Sequence, residues 1–310
     1  MTVPAPLFRD PVFDGAADPT IIWNRDEQSW WLLYTNRRAT TDGPGYAWIH
    51  GTDIGIASSK DGRDWLYSGT LAGLEFERGR NTFWAPEVLW HEGLYHMYVS
   101  YVRGIPTHWA YERLIVHMTS RNLWDWEFQS ILPLSSRRVI DACVFRLPGG
   151  AWRMWYKDED NHAFTYAADS PDLYQWTVAG PVISDCPHEG PNVFAWQGAY
   201  WMITDPWQGL GVYRSTDCLT WTRQANILDV PGTRADDGAI GHHADVLVQG
   251  TEAYIFYFTH PEVDGMADES TVWTYARRRT SLQAARLSLQ GGILRCDRDA
   301  PFDLELKPIP

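Results

Sequence analysis

Short apolar runs recur along the chain, and each is followed, after a turn, by a run dense in aromatic residues. Aligned on their paired apolar residues, the first runs read Asp18-Pro19-Thr20-Ile21-Ile22, Ala85-Pro86-Glu87-Val88-Leu89, Asp141-Ala142-Cys143-Val144-Phe145, Gly190-Pro191-Asn192-Val193-Phe194 and His243-Ala244-Asp245-Val246-Leu247. Their aromatic partners run from Trp30 to Tyr34, Tyr95 to Val99, Trp152 to Tyr156, Tyr200 to Ile203 and Tyr254 to Phe258. Short runs rich in β-branched and aromatic side chains, bounded by turn residues, predict strands.

A second repeat follows the aromatic strand in four of these units. Ser, any residue, Asp or Asn, three residues and Trp recur at Ser59 to Trp65, Ser120 to Trp126, Ser170 to Trp176 and Ser215 to Trp221. Asp and Asn bend the backbone through local side-chain bonds, and the Trp opens a returning strand, so each copy predicts a hairpin. Counting that hairpin, every unit holds four strands, and self-similarity of this kind predicts an all-β, five-bladed β-propeller with four antiparallel strands per blade. The 310 residues read as a single propeller domain over 1–310, since large closed β folds exceed the usual domain length. The fifth unit departs: the run from Thr274 to Arg279 ahead of Ser281 lacks the Trp, which predicts ring closure there, with a terminal strand as one way of making it.

Composition narrows the partners. A net charge of −13 and a pI near 5.1, with no basic run to offset them, argue against nucleic acid and anionic membrane surfaces, and a neutral partner fits better. No apolar stretch is long enough to span a bilayer, and the first residues lack the charged start and apolar middle of a secretion signal, so the expectation is a cytoplasmic protein. The four cysteines are unclustered, which predicts buried free thiols, with Cys186 beside the expected site.

A propeller gathers the starts of its innermost strands around one axis. Asp18, Asp141 and Glu189 then converge at one end of the channel, with Trp84 and His243 at neighbouring blade positions. Loops between second and third strands overhang the same end and supply Arg37, Arg38, Trp48, His50, Arg103, His108, Trp109, Lys157, Trp207 and His260, while the Ser-x-Asp hairpins belong to the far face and are structural. An isolated Asp-Pro or Glu-Gly-Pro is also an ordinary turn signal. Three acids at equivalent blade positions favour chemistry, because a pair of carboxylates flanking a cleft is the minimum machinery for breaking a glycosidic bond. Aromatic rings suit the apolar faces of sugars, and Arg and His suit their hydroxyls. Lys157 either pairs with Asp158 or reaches the channel acids, and Trp84 serves either as a sugar platform or as a plug between blades.

The ordered set of Asp18-Pro19, Trp84-Ala85-Pro86-Glu87, Ile140-Asp141 and Glu189-Gly190-Pro191 resembles glycoside hydrolase family 43 and its five-bladed relatives. The resemblance implies an exo-acting, inverting hydrolase of small oligosaccharides, of the α-L-arabinofuranoside, β-xyloside or galactoside type. Asp18 would be the base that activates water, Glu189 the acid, and Asp141 the residue that tunes that acid. A like charge at Asp141 would raise the Glu189 pKa, and an inverting pair would stand about 6.5–9.5 Å apart. The loop from Thr35 to His50 looks more like divergent relatives, including family 117, where a histidine can be the acid; His188 keeps that variant open. Arg37, Arg38, Trp84, His108, Lys157, His188 and Trp207 are the expected substrate-binding residues. His243 aligns with a histidine that helps hold a calcium or other ion in the channel through water, whereas the chemistry itself would require no cofactor. A sugar-binding propeller without catalysis, and a retaining relative resembling the invertase and levansucrase clan with Asp18 as nucleophile, remain as alternatives.

Overall fold

Each sequence repeat folds into one four-stranded antiparallel sheet whose strands follow chain order from the axis outward. The computed structural model describes residues 2–263 and 272–309. Blade one consists of β1 (Ala16–Asn24), β2 (Ser29–Asn36), β3 (Ile54–Ser59) and β4 (Leu66–Thr70). Blade two consists of β5 (Thr82–His91), β6 (Leu94–Val102), β7 (Leu114–Ser120) and β8 (Trp126–Ile131). Blade three consists of β9 (Val139–Arg146), β10 (Trp152–Asp158), β11 (Phe164–Ser170) and β12 (Thr177–Ile183). Blade four consists of β13 (Glu189–Trp196), β14 (Ala199–Asp205), β15 (Gly211–Ser215) and β16 (Thr222–Arg223). Blade five consists of β17 (His242–Gln249), β18 (Glu252–Thr259), β19 (Ser281–Gln290) and β20 (Ile293–Cys296). The inner strands β1, β5, β9, β13 and β17 touch in succession, and β17 returns to β1, which closes the ring.

The second strands explain why the aromatic runs are apolar at nearly every position. In β2, Trp30, Leu32 and Tyr34 pack toward blade five, while Trp31 and Leu33 pack toward blade two. Alternate residues of a strand point to opposite faces, so a strand sandwiched between two blades must be apolar on both. Five such clusters fill the five seams between blades. Each large side chain buried there contributes about 1.5–3 kcal/mol.

The four hairpins share one bonding scheme. Ser59 Oγ accepts the Gly62 N–H at 2.8 Å, Asp61 Oδ1 accepts the Arg63 N–H at 2.9 Å, and Trp65 Nε1 donates to the Gly62 carbonyl at 2.8 Å. The copies at Ser120, Ser170 and Ser215 repeat the serine and Asp or Asn bonds. The residue after the Asp or Asn, Gly62, Leu123, Leu173 or Cys218, takes a positive φ in every copy.

Blade five departs from the expected boundaries. Tyr275–Arg278 forms a single helical turn, and the third strand begins at Ser281 instead of ending there. Two of the three consecutive arginines explain this, because their side chains clamp loops and do not line a sheet: Arg278 donates to the Thr41 carbonyl and Arg279 pairs with Asp236. Blade five supplies all four of its own strands. Closure is reinforced by the two ends of the chain, through Val3 N–H to the Phe302 carbonyl at 3.1 Å and the Phe8 and Leu282 bridge. All four cysteines are free, Cys143 and Cys218 buried, Cys186 and Cys296 only half-buried. Among the described residues no helix is long and apolar enough to cross a membrane.

Candidate active site

Every inner strand carries a bulge at its start, at the first position of the five-fold alignment. The register slips between Ala17 and Thr20, Trp84 and Glu87, His242 and Ala244, and Glu189 and Asn192, and opposite Trp155 and Lys157 in blade three. Asp18, Ala85, Asp141 and Gly190 sit in these bulges with φ of 50°, 44°, 59° and 56°. A bulge re-aims its side chain, here into the channel mouth, and positive φ in residues with a Cβ costs about 1–3 kcal/mol that the surrounding sheet must hold. Gly190 has a further reason to be glycine: a Cβ there would lie 2.7 Å from Cγ of the His243 ring.

The bulges bring Asp18, Asp141, Glu189 and His243 onto the floor of one cavity of about 520 Å3. Its wall is largely aromatic, with Tyr46, Trp48, Trp84, Trp109, Trp207, Phe258 and Trp273. Each acid has a cation. Arg37 Nη2 lies 3.2 and 3.3 Å from the two Asp18 oxygens, and its other terminal nitrogen donates to His260 Nε2 at 3.3 Å. Lys157 Nζ donates to Glu189 Oε2 at 3.0 Å, and Trp207 Nε1 donates to Glu189 Oε1 at 3.0 Å. His243 Nδ1 stands 3.6 Å from Asp18 and 3.9 Å from Asp141, so one imidazole spans two carboxylates. Asp205 organises the rim, accepting the Trp207 N–H at 2.7 Å, the His243 N–H at 3.1 Å and a bond from His242 Nδ1 at 3.0 Å.

The charges distribute differently from the expectation. Burial pushes Asp141 up to about 7, with Glu189 and Asp18 adding to the rise and His243 opposing it. Burial also works to raise Glu189, but the Lys157 ammonium, His243 and the Trp207 N–H outweigh it and bring the group down to about 2. Burial, with the neighbouring carboxylates adding to it, therefore places the proton on Asp141, and the salt bridge keeps it off Glu189. His243 is raised despite burial, by Asp141, Asp18 and Glu189. His260 is pushed well below its usual value by burial and by Arg37, so it is a neutral acceptor.

Three expected contact residues lie elsewhere. Arg38 donates to the His50 carbonyl at 2.8 Å and the Ala47 carbonyl at 2.6 Å, which folds the 37–53 loop over the mouth without reaching the cavity. His108 is exposed and stacks on Tyr111 at 4.5 Å. His188 is fully buried between the Thr165 hydroxyl, 2.5 Å from Nε2, and the Cys186 carbonyl, 2.8 Å from Nδ1; it neither faces solvent nor lines the cavity. Arg37, Trp84, Lys157 and Trp207 do line the cavity. His242, at the start of the fifth inner strand beside His243, also lines the cavity, as do Tyr46, Glu159, Phe258 and Trp273, which are not among the expected site residues. The residue opposite each bulge on the second strand, which is Phe258 in blade five, was the signal available for finding some of them.

A calcium ion takes a shell of six to eight oxygens, and the channel beneath the acids is where the resemblance would put one. The channel narrows to a void of about 10 Å3 bordered by Thr20, Glu87, Cys143, Asn192 and His243. Side chains bordering it also bond between blades: Glu87 Oε1 accepts the Val144 N–H at 2.7 Å and Asn192 Oδ1 the Val246 N–H at 3.2 Å. The three-donor cluster found among the described residues, Asp185, Cys186 and His188, stands off the channel, and both His188 nitrogens are taken.

No protein-family model and no curated protein matches this chain. Solved structures do. A thermostable family-43 glycoside hydrolase is 20% identical over 97% of this chain and 99% of that chain, with a TM-score of 0.67. RS223 β-xylosidase is 13% identical over 92% and 95%, with a TM-score of 0.66. A family GH43_1 enzyme from Xanthomonas citri, complexed with xylotriose, is 14% identical over 95% and 92%, with a TM-score of 0.66. The chain has the five-bladed propeller fold of the family-43 glycoside hydrolases along nearly its whole length.

Proposed function

We propose that this protein is a glycoside hydrolase that acts from the chain end of small oligosaccharides, with inversion, on pentose-type residues such as β-xylosides or α-L-arabinofuranosides. The observation that carries the reading is the meeting of Asp18, Asp141 and Glu189, delivered by three different blades, on the floor of one aromatic-walled cavity. Asp18, fixed by Arg37, takes a proton from the attacking water. Glu189 delivers a proton to the leaving oxygen, and Asp141 is the store from which that proton comes. The tryptophans hold the apolar faces of the sugar rings. An exo mode is supported by the bond from Tyr46 N–H to the Thr107 carbonyl, which joins the long loops of blades one and two into a wall. The likeness to xylosidase structures supports the pentose.

A panel of aryl furanosides and pyranosides tests the reading, with the first released anomer followed by NMR. Hydrolysis with inversion is expected, and Asp18→Asn and Glu189→Gln each reduce it by at least about a hundredfold. A first product of retained configuration would overturn the inverting assignment. Saturable sugar binding with no turnover, unchanged in both variants, would replace the enzyme with a binding propeller.

A further inference from the structure

A lysine stands in blade three where three other blades use a side-chain oxygen. The second-strand residues paired with the inner strands at the bulge are Thr35, Ser100, Lys157, Asp205 and Phe258 in blades one to five. Three of them accept the N–H of the bulge residue in the following blade: Thr35 from Ala85 at 2.8 Å, Ser100 from Asp141 at 3.0 Å and Asp205 from His243 at 3.1 Å. A lysine ammonium has no lone pair to offer. The Gly190 N–H turns instead to Asp141 Oδ2 at 3.1 Å, and the ammonium is directed at the acids.

Lys157 is almost fully buried, with Nζ 3.0 Å from Glu189 Oε2, 3.4 Å from Glu159 Oε1 and 5.0 Å above the Trp207 ring. Glu159 is also held by Arg113 and Arg138. Asp141 and His243 complete the charges around Glu189. The ammonium therefore lies between a carboxylate already supplied with cations and one that depends on it.

Resting on the hydrolase reading, we propose that Lys157 is a positioning residue that holds Glu189 as a carboxylate in the empty site and releases it for protonation when a hydroxyl of a bound sugar takes over the ammonium. The step balances: one proton leaves Asp141 and arrives on Glu189, while Lys157 keeps its charge and changes only its acceptor. Proton delivery is thereby tied to occupancy, and the site takes a glycone with a hydroxyl within reach of Nζ. The high Asp141 and low Glu189 values agree with this division.

The test uses Lys157→Thr, which copies blade one's Thr35 and so suits the local backbone, together with Lys157→Arg. The Glu189 carboxyl is titrated by carbon-13 NMR in the unliganded protein, its signal assigned by loss in Glu189→Gln. Lys157→Thr is expected to raise the Glu189 midpoint by at least about one pH unit, tenfold in proton affinity. Lys157→Arg keeps it low, and the high-pH limb of kcat/KM moves upward in the threonine variant alone. A midpoint within about half a unit of wild type in a folded Lys157→Thr protein overturns the inference. If that variant does not fold, Lys157→Gln is read the same way. Because the titration needs no turnover, an unmoved midpoint in an active hydrolase sinks only the lysine's role, and a moved midpoint in a protein inert toward every glycoside sinks the hydrolase reading with it.

Discussion

Replacing Gly190 with alanine separates backbone strain from the placement of the His243 ring. Two effects add at this position. The φ of 56° puts an alanine in the left-handed region, at about 1–2 kcal/mol. The new Cβ would also meet His243 Cγ at 2.7 Å, where 3.4 Å is an ordinary contact, so the ring must retreat by about 0.7 Å. Overpacking of this kind costs about 1–3 kcal/mol. A smaller unfolded-state entropy for alanine returns about 0.4–1 kcal/mol, leaving a net loss of about 1–5 kcal/mol, centred near 3. The retreat acts on chemistry as well, because the ring spans Asp18 and Asp141 at 3.6 and 3.9 Å. A misplacement near 1 Å can cost about a hundredfold, and a loss in kcat/KM of at least about tenfold is expected. Gly198, in the turn between β13 and β14 of the same blade, is the control: its φ is 74°, but a Cβ there meets nothing within 4 Å. Gly198→Ala should lose about 1 kcal/mol or less and keep full activity. Urea unfolding and kcat/KM of both variants, on whichever glycoside is cleaved, decide the matter. Equal destabilisation of the two refutes the steric part, and a fully active Gly190→Ala refutes the claim that this bulge sets the histidine.

Three further outcomes are expected. His96 and His117, buried and 3.0 Å apart, are held by burial down to about 4 and about 3, so the unfolded chain takes up protons first. Their contribution is whole above about pH 6.5 and lost as pH falls toward those folded values, about 2 kcal/mol for each at pH 5. Urea unfolding at pH 7.5 and 5 should therefore show His96→Gln/His117→Gln losing about 4 kcal/mol less than wild type over that interval, and parallel losses would refute it. Asp245→Asn, nearly isosteric, puts an amide N–H against either the Ile21 N–H or the Asn192 amide, both of which now donate to the carboxylate, and should cost about 1–3 kcal/mol in thermal unfolding. Chelation with EDTA should leave kcat/KM within about twofold and the melting curve in place, because the channel oxygens are bonded to neighbouring blades; a restorable loss on adding calcium would contradict the geometry.

The architecture was readable because its repeats are bonded locally. Each serine and aspartate of the hairpin motif closes its own turn, so spacing alone carries the information. Loop side chains were not readable in this way. Arg38 and His108 sit in the overhanging loops as expected, yet one spends its donors on the loop's own carbonyls and the other stacks on a neighbour outside the cavity. His188 precedes the strand and turns inward to Thr165, a partner set by the adjoining strand β11. Lys157 was decidable in principle. Neighbours in a strand face opposite ways, so Lys157 and Asp158 in β10 could not pair, and Asp158 indeed takes Ser136 at 2.8 Å while Lys157 takes the acids. The direction of the Glu189 shift depended on that choice: with the lysine left open, like charge was the remaining cause, and it pointed the wrong way.

The same five-fold alignment encodes two different tasks, separated by the bulge. At its first position stand Asp18, Ala85, Asp141, Gly190 and His243, no two blades in succession alike, and Asp18, Asp141 and His243 of this ring line the cavity. At its third position stand Thr20, Glu87, Cys143, Asn192 and Asp245, all polar, and each bonds the inner strand of the next blade: Thr20 to the Pro86 carbonyl, then Val144, Val193, Val246 and Ile21 in turn donating to Glu87, Cys143, Asn192 and Asp245. Buried polar groups persist only when satisfied, so this girdle specifies which blade follows which, and in what register. It fixes the height of the bulges above it, and so the distances among the acids. A substitution in the girdle should therefore disturb the site without touching it, whereas one in the upper ring can change chemistry while the ring stays closed.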